Sequence, residues 1–233
     1  MPRFLAIETA TPVCSVALIE ENKVISLKES SESNAHSKVL TVFIQEIMET
    51  FEMDVRDLDA IVVSKGPGSY TGLRIGVSSA KGLCYAGDIP LISINTLQSM
   101  AYGVVLNSEV KYSDTALLCP MIDARRMEVY SALYDVNGNK IRETKAEIIE
   151  ESSFQDYLEK GEVYFFGDGA EKCKEMITHA NARFIEEFSV SAAHMALQIN
   201  QKFQQSQFED VAYFEPFYLK DFIAGVSKVK GLK

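Results

Sequence analysis

An α/β fold of two similar lobes is what this sequence predicts, on three observations. Strand-like and helical stretches alternate along the chain, the pattern of sheets with helices on their faces. The order of elements runs twice: a hairpin-led set of three strands, then helix, strand, helix, and after the polar break Lys111-Tyr112-Ser113-Asp114 the same order again. Finally, the loop Gly66-Pro67-Gly68-Ser69-Tyr70-Thr71-Gly72 joins a buried strand to a helix. In α/β sheets such a joint sits at the carboxyl end of a strand, where ligands and partners dock. The lobes are expected at 1–110 and 111–233, facing each other across a cleft. Only the order of elements repeats, without evident sequence identity.

Residues 4–7 form a first strand, 13–19 a second, and Glu21-Asn22 turns the chain into a third at 23–28. Val39, Leu40, Phe43, Ile44, Ile47, Met48 and Phe51 recur at helical spacing and predict a helix over 37–52. The apolar run 60–64 reads as a buried parallel strand. Leu73, Val77, Ala80, Leu83 and Cys84 then define a helix over 72–86, with Thr71 as its N-cap. A strand at 90–94 and a helix at 96–106 close the first half. The second half opens with strands at 115–122 and 127–136, and Asn137-Gly138 turns into a third at 140–148. A helix at 153–160, a strand at 163–166 ending in Gly167-Asp168-Gly169, a helix at 171–178, a strand at 183–185 and a helix at 191–204 complete it.

With 233 residues the chain is long enough for a sizeable core. Its net charge of −10 excludes nucleic-acid binding by bulk attraction, and DNA with it. Contact with RNA needs a local patch or a basic partner. No apolar run approaches the ~18 residues of a membrane span, and Glu8 comes too early for a signal peptide. Cys14, Cys84, Cys119 and Cys173 are scattered in apolar stretches and read as reduced core thiols. A cytoplasmic protein is expected.

The glycine loop is not a P-loop, because no Gly-Lys-Ser/Thr closes it, and Thr71 stands where a dinucleotide fingerprint needs its third glycine. From the glycines alone, a tight turn without a ligand fits equally well.

Four blocks resemble the TsaB family. They are Phe4-Leu5-Ala6-Ile7-Glu8-Thr9-Ala10-Thr11 with Cys14-Ser15-Val16-Ala17-Leu18, and the run from Gly66 to Gly76 extended by Ala80-Lys81-Gly82-Leu83. The others are Ile122-Asp123-Ala124-Arg125-Arg126 with Glu128-Val129-Tyr130, and Pro216-Phe217-Tyr218-Leu219-Lys220. The resemblance implies two actin-like ATPase (RNase H-like) lobes, each a mixed sheet with a leading hairpin and flanking helices. It implies a role in making N6-threonylcarbamoyladenosine at position 37 of tRNA, beside a TsaD-like transferase and a TsaE-like ATPase. The related TsaD carries the catalytic metal; the superfamily once bore a glycoprotease label.

A TsaD-like metal needs a helical His-x-x-x-His pair, whose i and i+4 imidazoles converge on one ion. His36, His179 and His194 offer no such pair, and His-Glu-x-x-His is absent too. No metal and no catalytic residue is therefore expected. Actin-like ATPases use an Asp-x-Gly turn after the first strand of each lobe. Here those turns read Glu8-Thr9-Ala10 and Asp123-Ala124-Arg125, without the glycine. No cofactor is required on this reading. Weak adenine-nucleotide binding at a complex interface stays open, with Glu8, Thr9, Gly66, Gly68, Ser69, Thr71, Asp123, Arg125 and Arg126 as candidates. The alternative is a metal-dependent peptidase or an ATP-dependent enzyme of the same fold.

What remains is a surface. The helix over 37–52 is apolar over more than about 100° of arc, as if covered on two sides. Gly72 and Gly76 share a helical face and admit a close backbone. Family resemblance implies docking on the TsaD-like protein through these helices, or self-pairing in its absence, with tRNA reached indirectly. The docking candidates are Val39, Val42, Phe43, Ile47, Gly72, Leu73, Gly76 and Ala80. Gly76→Trp should then abolish docking and spare the fold; packing of the glycines on the protein's own sheet is the competing expectation.

Overall fold

The computed structural model describes residues 1–32, 36–107 and 110–220. The first sheet comprises β1 (Arg3–Glu8), β2 (Cys14–Glu20), β3 (Lys23–Ser30), β4 (Ala60–Gly66) and β5 (Leu91–Asn95) in the order β3-β2-β1-β4-β5. Pairing is antiparallel through β1, β2 and β3, and parallel from β1 to β4 to β5. β1, β2 and β4 are apolar on both faces because both faces are covered. Leu5, Ile7, Val16 and Val63 face α1 (His36–Thr50) and α2 (Tyr70–Gly87), which answer with Leu40, Ile44, Ile47, Val77, Ala80 and Cys84.

The second sheet repeats the plan. β6 (Leu117–Asp123), β7 (Glu128–Asp135), β8 (Lys140–Ile148), β9 (Val163–Phe166) and β10 (Ala182–Phe184) lie in the order β10-β9-β6-β7-β8. The hairpin strands are antiparallel and β9 and β10 parallel. Both predicted mixed sheets with leading hairpins are present.

The two sheets fall on either side of residue 110, but the helices cross that line. α3 (Thr96–Asn107) follows the first sheet in sequence, yet Leu97, Met100, Ala101 and Val104 pack on Leu118, Ala132 and Phe166 of the second. In return, a 3-10 turn at Ala192–Met195 and α5 (Ala196–Gln204) close the back of the first sheet. Met195, Ala196 and Ile199 sit there on Phe4, Ala6 and Ile92. Where α3 meets the 3-10 turn, the buried His194 ring lies against Gly103 and stacks on Phe188 at 5.3 Å.

Two predicted helices shorten. α4 is a single turn, Gln155–Leu158, and the stretch expected over 171–178 is a 3-10 turn, Glu171–Cys173, followed by irregular turns. Neither start has a capping side chain, and segments this short do not hold a helix by propensity alone. All four cysteines are buried and free, as expected.

Beyond α5 the chain turns back along the first lobe. Glu209 N donates to Leu91 O (2.8 Å) outside β5, and Lys81 Nζ donates to the carbonyls of Ala212 and Phe214 (3.0 Å each). Phe217 N then donates to Lys65 O (2.7 Å), and Lys220 pairs with Glu128 of the second sheet. Residues 209–220 thus strap the first lobe and end on the second.

Candidate functional site: a closed turn and an open helix face

β1 runs into the turn Glu8-Thr9-Ala10-Thr11, which the glycine loop clasps. Glu8 is fully buried; its Oε1 accepts from Ala10 N (2.6 Å) and Ser64 Oγ (2.8 Å), while its Oε2 has no partner among the described residues. Burial pushes the carboxyl up to about 7, against the pull of the Ala10 and Ser64 hydrogen bonds. A Cβ on Gly68 would stand 2.3 Å from the Ala10 carbonyl oxygen, and one on Gly72 2.1 Å from that of Thr9. These two glycines let the loop and helix close on the turn.

Three of the loop's amide donors are already engaged. Gly66 N donates to Thr96 Oγ1 (3.2 Å), Ser69 N to Ala10 O (2.7 Å), and Gly72 N to Ser69 Oγ (3.2 Å). That last bond makes Ser69, not Thr71, the N-cap of α2; Thr71 lies exposed in the first turn. The expected candidates Glu8 and Thr9 are both sealed at 0% exposure, so neither carboxylate nor hydroxyl reaches a nucleotide or its metal. His36 closes the turn from outside, its Nε2 2.9 Å from Thr11 O.

Glu8→Gln tests this burial. A carboxyl that titrates higher folded than unfolded stabilises fully below about 4.5, and loses that stability as pH rises through about 7. The neutral His194 raises the stability of both proteins over about pH 4–6.5, so the difference between them in urea is the readout. The Gln variant should gain on wild type as pH rises through about 7, and exceed it by about 3 kcal/mol at pH 8 relative to their difference at pH 4. Parallel pH profiles would place Glu8 in water.

The second-lobe turn, 123–128, is built differently. Asp123 accepts from Arg125 N (2.9 Å) and from Lys172 Nζ, while its own N donates to Asp168 Oδ1 (3.1 Å). Its charge is matched by Lys172 of the same lobe. Burial raises the Asp168 carboxyl. Arg125 and Arg126 both adopt left-handed backbone, φ 72° and 51°, and both side chains are exposed. Of the phosphate candidates, these two cations alone combine exposure with the matching charge. Among the described residues no group of three or more His, Cys, Asp or Glu could hold a metal ion. His194 is buried and pushed down to about 4 by desolvation, which keeps it neutral.

The docking candidates divide. Ile47, Gly72, Leu73, Gly76 and Ala80 are all buried, which corrects their assignment to a docking face. A Cβ on Gly76 would stand 2.2 Å from Thr9 Oγ1, so the backbone that the glycine pair admits is this chain's own. Val39 and Phe43 are half-buried against the core, and Val42 is exposed. The outward face of α2 instead carries Ser78, Gly82 and Ala86 at i, i+4 and i+8, beside Tyr85 at 87% exposure. A Cβ on Gly82 meets nothing within 4 Å. Sequence reasoning missed this stripe, although Gly82 was in view.

A family model described as TsaD, tRNA N6-adenosine threonylcarbamoyltransferase, matches residues 24–228. The tRNA threonylcarbamoyladenosine biosynthesis protein TsaB of Escherichia coli K12 is 33% identical over 231 residues, covering 95% of this chain and 96% of that one. Its Bacillus subtilis counterpart is 34% identical over 139 residues, covering 60% and 58%. Among solved structures, YeaZ of Pseudomonas aeruginosa superposes with a TM-score of 0.80 at 21% identity, over 94% of this chain and 100% of that chain. A second structure from that organism, described as similar to peptidase YeaZ, reaches 0.82 at 21% identity over the same shares. These likenesses show the two-lobed actin-like fold. No described helix is long and apolar enough to cross a membrane.

Proposed function

This chain belongs to the TsaB/TsaD family, and on that premise we propose that it is a non-catalytic subunit for making N6-threonylcarbamoyladenosine at position 37 of tRNA. It binds and activates a TsaD-like transferase in the cytoplasm, together with a TsaE-like ATPase. Its two lobes, divided by sheet at 1–110 and 111–233, serve as scaffold, and the outer faces of α1 and α2 as the docking surface. Without the transferase, the same faces pair two copies of this chain.

One observation carries the reading. Where an actin-like ATPase opens its first-lobe turn to nucleotide, Glu8 and Thr9 are buried, and Ser69 N and Gly72 N are bonded within the chain. A turn sealed this way supports a scaffold better than a catalyst. No cofactor is required; any weak adenine-nucleotide contact belongs to Arg125 and Arg126.

Reconstitution tests it. With tRNA, threonylcarbamoyl-adenylate and the TsaD- and TsaE-like proteins supplied, omitting this chain should reduce modified tRNA to the no-enzyme background. The chain alone should give no turnover. Full modification without it would refute the proposal, and so would proteolysis or ATP turnover by the isolated chain, which is what a peptidase or ATP-dependent enzyme of this fold would give.

A further inference from the structure

The strap over residues 209–220 links an aromatic cluster on the first lobe with the arginine turn of the second. On the first lobe, the Tyr70 and Tyr218 rings are 5.0 Å apart, and the Arg74 guanidinium stands 4.8 Å over Tyr70. Two residues beyond Tyr218, Lys220 pairs with Glu128 at the foot of β7. Two residues of chain reach at most about 7 Å. The strap that carries Tyr218 thus ends at Glu128, two residues after Arg126. Tyr130 follows Glu128 by two residues along β7.

The charges there are unevenly matched. Lys172 and Lys220 are paired with Asp123 and Glu128. Arg74, Arg125 and Arg126 are exposed, and none forms an ion pair with a described carboxylate. Among the described residues these three guanidinium groups thus stand without an ion-paired carboxylate, on a chain whose net charge is −10. Two consecutive left-handed residues in a turn favour glycine or asparagine, yet both positions carry long cations pointing into water. Backbone held in this region persists only where the surrounding structure fixes it, and such residues cluster at functional sites.

We propose that Arg74, Tyr70 and Tyr218 with Arg125, Arg126 and Tyr130 form a contact for single-stranded RNA, the loop of the tRNA itself. The chemistry fits that ligand. Unstacked bases lie on tyrosine rings and guanidinium planes, and arginines take the phosphates between them. The proposal rests on the tRNA-modification reading above, and makes this chain a direct rather than an indirect partner of the substrate.

Fluorescence anisotropy with labelled anticodon stem-loop tests it, on the full chain and on its complex with the TsaD-like protein. R125E/R126E should weaken RNA binding ~10–100-fold and flatten the log-affinity against log-salt slope by about 1.4, since each single-strand phosphate contact is worth about 0.7. R125K/R126K should retain most affinity and the slope. K140E/K145E on β8 makes the same charge change away from the ridge, and should cost under about threefold. An unchanged affinity in R125E/R126E, an equal loss in K140E/K145E, or no wild-type binding overturns the contact. Displacement by ADP as effective as by unlabelled stem-loop overturns it in favour of a mononucleotide site. Co-elution with the TsaD-like protein is read in the same samples. Its loss in wild type sinks the docking proposal, and its persistence beside unchanged RNA affinity sinks only the contact.

Discussion

Gly72→Val should destabilise this protein by ~4 kcal/mol. The new Cβ would stand 2.1 Å from the Thr9 carbonyl oxygen, and a backbone atom cannot rotate aside as a side-chain tip can. Thr9 cannot retreat either, because its neighbour Glu8 is buried and bonded to Ser64. Overpacking of this kind costs ~1–3 kcal/mol where neighbours yield, and more where they are backbone. A loss near 4 kcal/mol would take between about a quarter and four-fifths of the ~5–15 kcal/mol a domain this size holds. Urea melts followed by far-UV circular dichroism read it directly, and an unmoved midpoint would show that the turn and helix are looser than described. Gly76→Trp should fail the same way, since its ring would enter the space of Thr9 Oγ1. That variant reports on folding and says nothing about docking.

Gly82→Trp should do the opposite. Nothing lies within 4 Å of a Cβ there, and replacing an exposed helical glycine tends to add stability, up to ~1 kcal/mol for Ala. An indole on the Ser78–Gly82–Ala86 stripe would hold a second helix away. Affinity for the TsaD-like protein should fall about 100-fold or more, the scale of an interface hot spot. Co-elution by size exclusion, with a thermal melt on the same sample, separates the two effects. A stable variant that still co-elutes would remove the outer face of α2 from the interface.

The contrast between these glycines shows what could be read from sequence. Strands and helices announced themselves through local periodicity, and the hairpin-led order gave the two sheets, because such signals sit within one element. Inward and outward faces of α2 are a different matter. Gly72, Gly76 and Gly82 look alike until it is known that Thr9, more than sixty residues earlier, packs on the first two. Periodicity shows that Ile47, Leu73 and Ala80 belong to an apolar face, but not whether a partner or the sheet covers it. α3 is apolar enough to be buried, and nothing in its residues says that it serves the second sheet. At the site, Glu8 kept its acid and so read as available. Its loss of access came from Ala10, Ser64 and the glycine loop converging in space. The left-handed arginines gave no signal beyond standing where relatives of the fold keep glycine.

The helices that cross between the sheets set the schedule of folding on the ribosome. Phe4, Ile19 and Ile92 are made early, yet their back face stays bare until Met195, Ala196 and Ile199 have emerged. A nascent chain carrying only the amino-terminal half therefore exposes an uncovered greasy sheet for most of its synthesis, a hazard for aggregation and a call for chaperones. Emergence of residues 192–204, rather than completion of the amino-terminal half, is the step at which that sheet is first covered on both faces.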